Sequence, residues 1–205
     1  MRYSKEHKAH TRQRILEMAS TLFRERGIDQ VSVNDVMAGT GLTHGGFYAH
    51  FTSKDDLVAE AVAQALEQTT ERLVGFARRA HGGNGLKTAI RSYLSPQHRD
   101  NPGQGCALAA LAAEVGRGTP QARHRMTAKL HEMVDALGEF GEGQDAQSRE
   151  KQILGVLSGM VGALVLARLA DDERYANRIL QASRDFLENA VKNVAAPEPG
   201  AGTPT

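Results

Sequence analysis

The stretch Gly41-Leu42-Thr43-His44-Gly45-Gly46-Phe47-Tyr48-Ala49-His50-Phe51-Thr52-Ser53-Lys54 holds, within fourteen residues, a turn glycine, a helix cap, a short helix and a second cap. Phe47 and Phe51 are four apart, so on a helix they share one face and can sink into a core. His44 and Tyr48, also four apart, share the face turned away. A helix this short is not stable alone and must be held by neighbours. Its polar face is then free to enter something, and the DNA major groove leads the candidates because an α-helix fits it.

The residues upstream supply those neighbours. Ile15, Leu16, Ala19, Leu22 and Phe23 follow the spacing of an amphipathic helix, which Gly27 can end in the left-handed conformation. Ser32 stands three residues before Asp35, a capping-box arrangement with Asp in place of Glu, and Val33, Val36 and Met37 form the stripe of a second short helix. Gly39 or Gly41 ends that helix and Thr43 can cap the third. Three helices with a tight glycine turn between the last two are the sequence form of a helix-turn-helix.

From Thr11 to Leu57 the chain resembles the TetR family of bacterial transcriptional regulators. The matching run is Gly41-Leu42-Thr43-x-Gly45-x-Phe47-Tyr48-x-His50-Phe51-x-x-Lys54-x-x-Leu57. The resemblance implies an all-α chain: a three-helix DNA-binding head on a larger helical domain for effector binding and dimerisation. Thr43, Tyr48, His50 and Lys54 sit where that family typically holds phosphates, a task that hydroxyl, imidazole and ammonium groups suit. His44 faces the groove and can meet a base edge. Gly45 and Gly46 each cost about 0.5 to 1 kcal/mol of helix stability relative to Ala, understandable if backbone comes close to DNA. Gly46 stands where many relatives carry a side chain that reaches a base, which shifts readout to His44, an arm from Arg2 to Lys8, or DNA shape. His50 has an alternative role as a histidine satisfied within the head.

Charge and length fit this reading. The chain has 205 residues and a formal charge of +1. Residues 1–54 hold eight Lys/Arg against five acids, a net +3, leaving −2 for the remainder. A basic head on a near-neutral body suits localised contact with phosphates. One cysteine allows no intrachain disulfide, and the N-terminal residues have no apolar signal core, so a cytoplasmic protein is expected. The candidate membrane segment, Ile153 to Ala167, is fifteen residues long, short of the roughly 18 to 20 that a span requires.

Beyond the head only helices are predicted. Ser53 and Asp56 open a long helix that ends before Gly82-Gly83. Helices follow over 86–94, 106–117, 120–140, 149–170 and 172–194, with a Pro/Gly-rich loop over 95–105. The expected division is a DNA-binding domain over 1–54, an effector and dimerisation domain over 55–194, and a disordered tail over 195–205.

The run Ile153 to Leu166 is apolar on nearly all sides, so one neighbour cannot cover it. Gly155, Gly159 and Gly162, with Phe186, Leu187 and Ala190 of the last helix, are the expected homodimer interface; a deeply buried helix in a monomer is the alternative. The resemblance further implies a repressor that a small-molecule effector releases from an inverted-repeat, double-stranded DNA operator. The residues expected to line the effector pocket are Leu66, Leu73, Tyr93, Cys106, Leu108, Leu111, Met126, Leu130, Met133 and Met160, an aliphatic and adaptable set. An alternative makes Cys106 a sensor thiol at a helix start, modified by oxidants or electrophiles. A helical interaction module is a third possibility. No nucleophile with a base, phosphate loop or metal-ligand spacing is evident, so no catalytic residue, cofactor or metal is expected.

Overall fold

In the computed structural model, which describes residues 5–191, helix α1 (Lys5–Arg26) buries Ile15, Leu16, Ala19, Leu22 and Phe23. Gly27 ends it at φ +85°, a conformation that a Cβ disfavours. Helix α2 (Val33–Gly39) starts with a complete capping box: Ser32 Oγ accepts from the Asp35 N–H at 3.1 Å, and Asp35 Oδ2 accepts from the Ser32 N–H at 2.8 Å. Gly41, at φ +71°, turns the chain into α3 (His44–Phe47). The rings of Phe47 and Phe51 stack at 5.5 Å and are buried. The Arg12 guanidinium lies 4.5 Å over the Phe51 ring and pairs with Glu60 of α4 (Lys54–Arg79).

Helix α4 is the spine of the molecule. Its 26 residues span roughly 39 Å at 1.5 Å each, and α1, α5 (Gly85–Tyr93), α7 (Ala107–Arg117) and α8 (Pro120–Gly138) all pack on it. Ser53 caps it by accepting from the Asp56 N–H, whereas Asp56 reaches back to the N–H of Thr52, one residue before the reciprocal position. One contiguous apolar core runs from α1 through α9 (Ala146–Leu169) and α10 (Glu173–Ala190).

Three sequence expectations are revised. The segment expected as a loop over 95–105 contains α6 (Pro96–Asp100) and a 3-10 turn (Pro102–Gln104). Ser95 Oγ accepts from the His98 N–H at 3.2 Å, and Pro96 stands at the first helical position, where its missing N–H costs nothing. Helix α9 starts before Arg149 because Asp145 caps it, accepting from the Ser148 N–H at 2.7 Å. At 24 residues α9 is long and apolar enough to cross a membrane by length and composition, unlike the fifteen-residue run read from the sequence. Its Ile153, Val156, Leu157, Met160 and Leu164 are nonetheless buried against the rest of the fold. The third revision concerns Gly159. A Cβ there would lie 2.8 Å from Leu187 Cδ2 of α10, so Gly159 and Leu187 join two helices of one protomer. Gly155 and Gly162 meet nothing within 4 Å and Phe186 is 73% exposed, so these stay on the outer face with Ala190. Arg2 and the expected tail over 195–205 lie outside the described residues.

Gly159→Leu is therefore expected to act inside the protomer. Overpacking against Leu187 should lower unfolding stability by roughly 1 to 3 kcal/mol, measured by urea denaturation. Unchanged stability with a broken dimer would return Gly159 to the outer face.

Candidate nucleic-acid interface and effector cavity

Helix α3 presents Thr43, His44, Gly45 and Tyr48 to solvent, with Tyr48 63% exposed and the His44 ring edge-on to it at 5.8 Å. Thr43 is the N-cap by backbone conformation, yet its hydroxyl makes no capping bond. After Phe47 the backbone continues in turns, with the Ala49 N–H donating to the Gly46 carbonyl and that of His50 to the Phe47 carbonyl. A Cβ at Gly45 would meet nothing within 4 Å, and one at Gly46 only ordinary contacts at 3.7 Å. The protein's own packing therefore does not demand these glycines.

His50 and Lys54 are turned inward. His50 Nδ1 is buried without a hydrogen-bond partner among the described residues, and burial first, then repulsion from Lys8 and Arg12, lowers its pKa. Lys54 Nζ donates to the Ile28 carbonyl at 2.8 Å, while the Ile28 N–H donates to Glu114 Oε2 of α7 at 2.7 Å. The turn after α1 is thus tied to both α4 and α7. Arg14 donates to the Thr40 carbonyl at 2.8 Å. Lys5, Lys8 and Arg26 are exposed cations of the head.

A solvent-open cavity of about 360 Å³ lies between α4, α5, α6 and the 3-10 turn. It is lined by Thr69, Arg72, Leu73, Phe76, Ser92, Tyr93, Ser95, Gln97, His98, Asn101 and Gln104. Of the residues expected there, Leu73 and Tyr93 line it. Leu66, Cys106, Leu111, Met126, Met133 and Met160 are instead buried in the core, with Leu108 and Leu130 packed on it. The polar lining comes largely from 92–104, where a string of hydroxyls and amides was the available sequence signal.

Guanidinium groups from three helices meet on the backbone of this segment. Arg24 of α1, 5% exposed, donates to the Gly105 carbonyl at 2.8 Å, and Arg72 of α4 donates to the Gln104 carbonyl and, at 3.4 Å, to that of Gly105. Arg168 of α9 donates to the carbonyls of Arg99 at 3.0 Å and His98 at 2.9 Å. Burial first, then the charge of Arg72, lowers the Arg24 pKa to about 10, which leaves it cationic at neutral pH. Cys106 lies among these groups as the N-cap of α7, 1% exposed. The Tyr93 hydroxyl lies beside it, and burial first, then the nearby Cys106, raises the Tyr93 pKa.

The family model described as bacterial regulatory proteins, tetR family, matches residues 15–61. The repressor BepR of Brucella suis is 33% identical over 81 residues, which are 40% of this chain and 39% of BepR. Curated relatives are matched over about a third of their own length, between 27% and 39% in the first three. Solved structures extend the likeness along the chain. A TetR regulator from Chloroflexus aurantiacus is 27% identical, covering 90% of this chain and 95% of its own with a TM-score of 0.69. Escherichia coli NemR in its reduced form, 17% identical, shares the fold over 91% of this chain and 100% of its own at a TM-score of 0.75.

His98 fixes the cavity wall as a neutral imidazole. Its Nε2 accepts from the Cys106 N–H at 3.1 Å, so Nδ1 carries the proton and donates to the Tyr93 carbonyl at 2.7 Å. Burial lowers its pKa from 6.5 to about 4. The unfolded chain therefore takes up this proton first: stability is complete above pH 6.5, falls as pH drops, and its loss is finished below about 4. The full effect is roughly 3 kcal/mol. In urea unfolding, the stability advantage of the parent over His98→Gln should shrink between pH 7 and pH 4; a constant advantage would contradict the neutral assignment.

Proposed function

We propose that the chain is a TetR-family regulator, a dimeric transcriptional repressor released from its operator by a small molecule held in the α4–α5–α6 cavity. One observation carries the release mechanism. The segment that walls the cavity through His98, Asn101 and Gln104 is the segment whose Gly105 carbonyl is held by Arg24 of α1. A ligand that moves this wall moves a contact of the DNA-binding head. Coupling of about 1 to 3 kcal/mol between two sites lowers affinity roughly 5- to 150-fold, within reach of a few altered hydrogen bonds.

Assembly follows from the outer faces of α9 and α10. Leu154, Gly155, Ser158, Gly162, Val165, Leu166 and Leu169 are exposed along α9, beside Phe186 and Ala190 of α10. An apolar stripe of this length with glycine gaps suits close pairing with a second copy. A two-fold dimer places its recognition helices about 34 to 36 Å apart, or a multiple of that, and reads an inverted repeat. Thr43 and Tyr48 are available to phosphates and His44 to a base edge, with Gly45 and Gly46 bringing backbone close. Lys54 acts through the Ile28 carbonyl that it holds, and His50 from within the head.

The test is binding-site selection followed by electrophoretic shift. Tyr48→Phe should weaken binding a few-fold on every sequence, the effect of one lost hydrogen bond of about 1 kcal/mol. His44→Ala should relax preference at one or two base pairs in each half-site. An unchanged selected motif with uniformly reduced affinity in the His44 variant would remove its role as a base reader.

The guanidinium cluster favours a second reading, in which Cys106 is a sensor thiol. Oxidation by a peroxide to a sulfenic acid, which a small thiol can then condense with to a mixed disulfide and water, would add bulk or charge where Arg24, Arg72 and Arg168 hold the segment. Its burial requires the segment to open first. Oxidant-driven operator release in the parent and none in Cys106→Ser is the expected result; equal release in both leaves Cys106 as packing.

A further inference from the structure

The lining of the cavity carries one formal charge. Its eleven residues include no Asp or Glu, and the neutral His98 leaves Arg72 as the single cation among them. Arg72 donates to two backbone carbonyls and, at 3.4 Å, to Thr69 Oγ1, and no carboxylate pairs with it among the described residues. Arg24 and Arg168 add positive potential behind the same segment, balanced there by carbonyl oxygens. The Tyr93 hydroxyl, on a side chain only 2% exposed, is buried beside Cys106 behind this wall. Leu73 and Phe76, on α4 beside Arg72, supply apolar surface to the same wall, and the Arg79 guanidinium lies 5.3 Å over the Phe76 ring.

We infer that the effector is a small organic acid whose carboxylate is taken by Arg72 and whose apolar or aromatic body lies on Leu73 and Phe76. This rests on the effector reading above and gives it a ligand class. A guanidinium presents a planar fork that matches a carboxylate, and such a bond is stronger than one to a neutral carbonyl. A cavity of about 360 Å³ is at the lower end of the roughly 300 to 1,000 Å³ usual for ligand sites, so the acid is small. Capture also has a consequence for the head. A carboxylate on Arg72 competes with the Gln104 and Gly105 carbonyls, leaving Gly105 to Arg24 alone and freeing the segment to shift against α1.

The experiment uses the full chain and matched probes: 3-phenylpropionate, 3-phenylpropionamide and 3-phenylpropylamine, with octanoate, octanamide and octylamine. Calorimetry measures binding, and electrophoretic shift measures release of the selected operator. The carboxylates should bind about tenfold or more tightly than their amides, the effect of one charge-assisted hydrogen bond. Arg72→Gln should abolish that preference, and Arg72→Lys, which keeps the charge, should retain part of it. Amides or amines binding as well as carboxylates, or a preference that survives Arg72→Gln, overturns the inference and leaves the effector reading standing. If none of the six probes binds, the inference is overturned, and the effector reading is judged separately by whether any other small molecule releases the operator.

Discussion

Four backbone carbonyls, those of His98, Arg99, Gln104 and Gly105, are held by guanidinium groups that arrive from three separate helices. A buried cation is costly unless its donors are satisfied, and here backbone oxygens satisfy them. The segment is consequently fixed by its partners rather than by its own short helical turns. Arg24 comes from the head, Arg72 from the spine that walls the cavity, and Arg168 from the helix whose outer face is available for pairing. A displacement of this segment is felt in all three places.

The second tie is the turn after α1. Ile28 gives its N–H to Glu114 of α7 and its carbonyl to Lys54 of α4, so the orientation of the head follows the relation between those two helices. Arg12 adds a link, stacked on Phe51 and paired with Glu60. These contacts, together with an apolar core that continues from the head into the body, make the recognition face an extension of α4 rather than a loosely tethered module. Packed interiors deform little, and the proposed effect of a ligand at the cavity wall would pass along these contacts as a discrete shift.

The head was legible in the sequence because its determinants are local. The Ser32–Asp35 capping box, the left-handed glycine at 27, the turn glycine at 41, and the Phe47–Phe51 spacing each act within a few residues, and each is present in the structure. What was not legible depends on contacts between distant residues. Lys54 read as a phosphate ligand because nothing nearby in sequence announces the Ile28 carbonyl 26 residues away. Gly159 read as an outer-face residue because Gly155 and Gly159 are helical neighbours, about 40° apart around the axis, and only the position of Leu187 separates them. Most of the Leu and Met residues that suggest a pocket in the sequence are drawn by close packing into the core, while the cavity lies where polar residues of 92–104 line the surface. The Pro-rich segment over 95–105 read as a loop, although Pro96 after a Ser cap suits the first turn of α6.

The measurement that bears most directly on the shared segment is a double-mutant cycle on operator affinity with Arg24→Met and Arg72→Met. Both substitutions keep much of the side-chain length and remove the charge, and neither residue lies on the recognition helix. If the two guanidiniums act on DNA binding through the segment they share, their effects on operator affinity are coupled by about 0.5 kcal/mol or more. Effects that add within about 0.3 kcal/mol would contradict it and separate the cavity wall from the head.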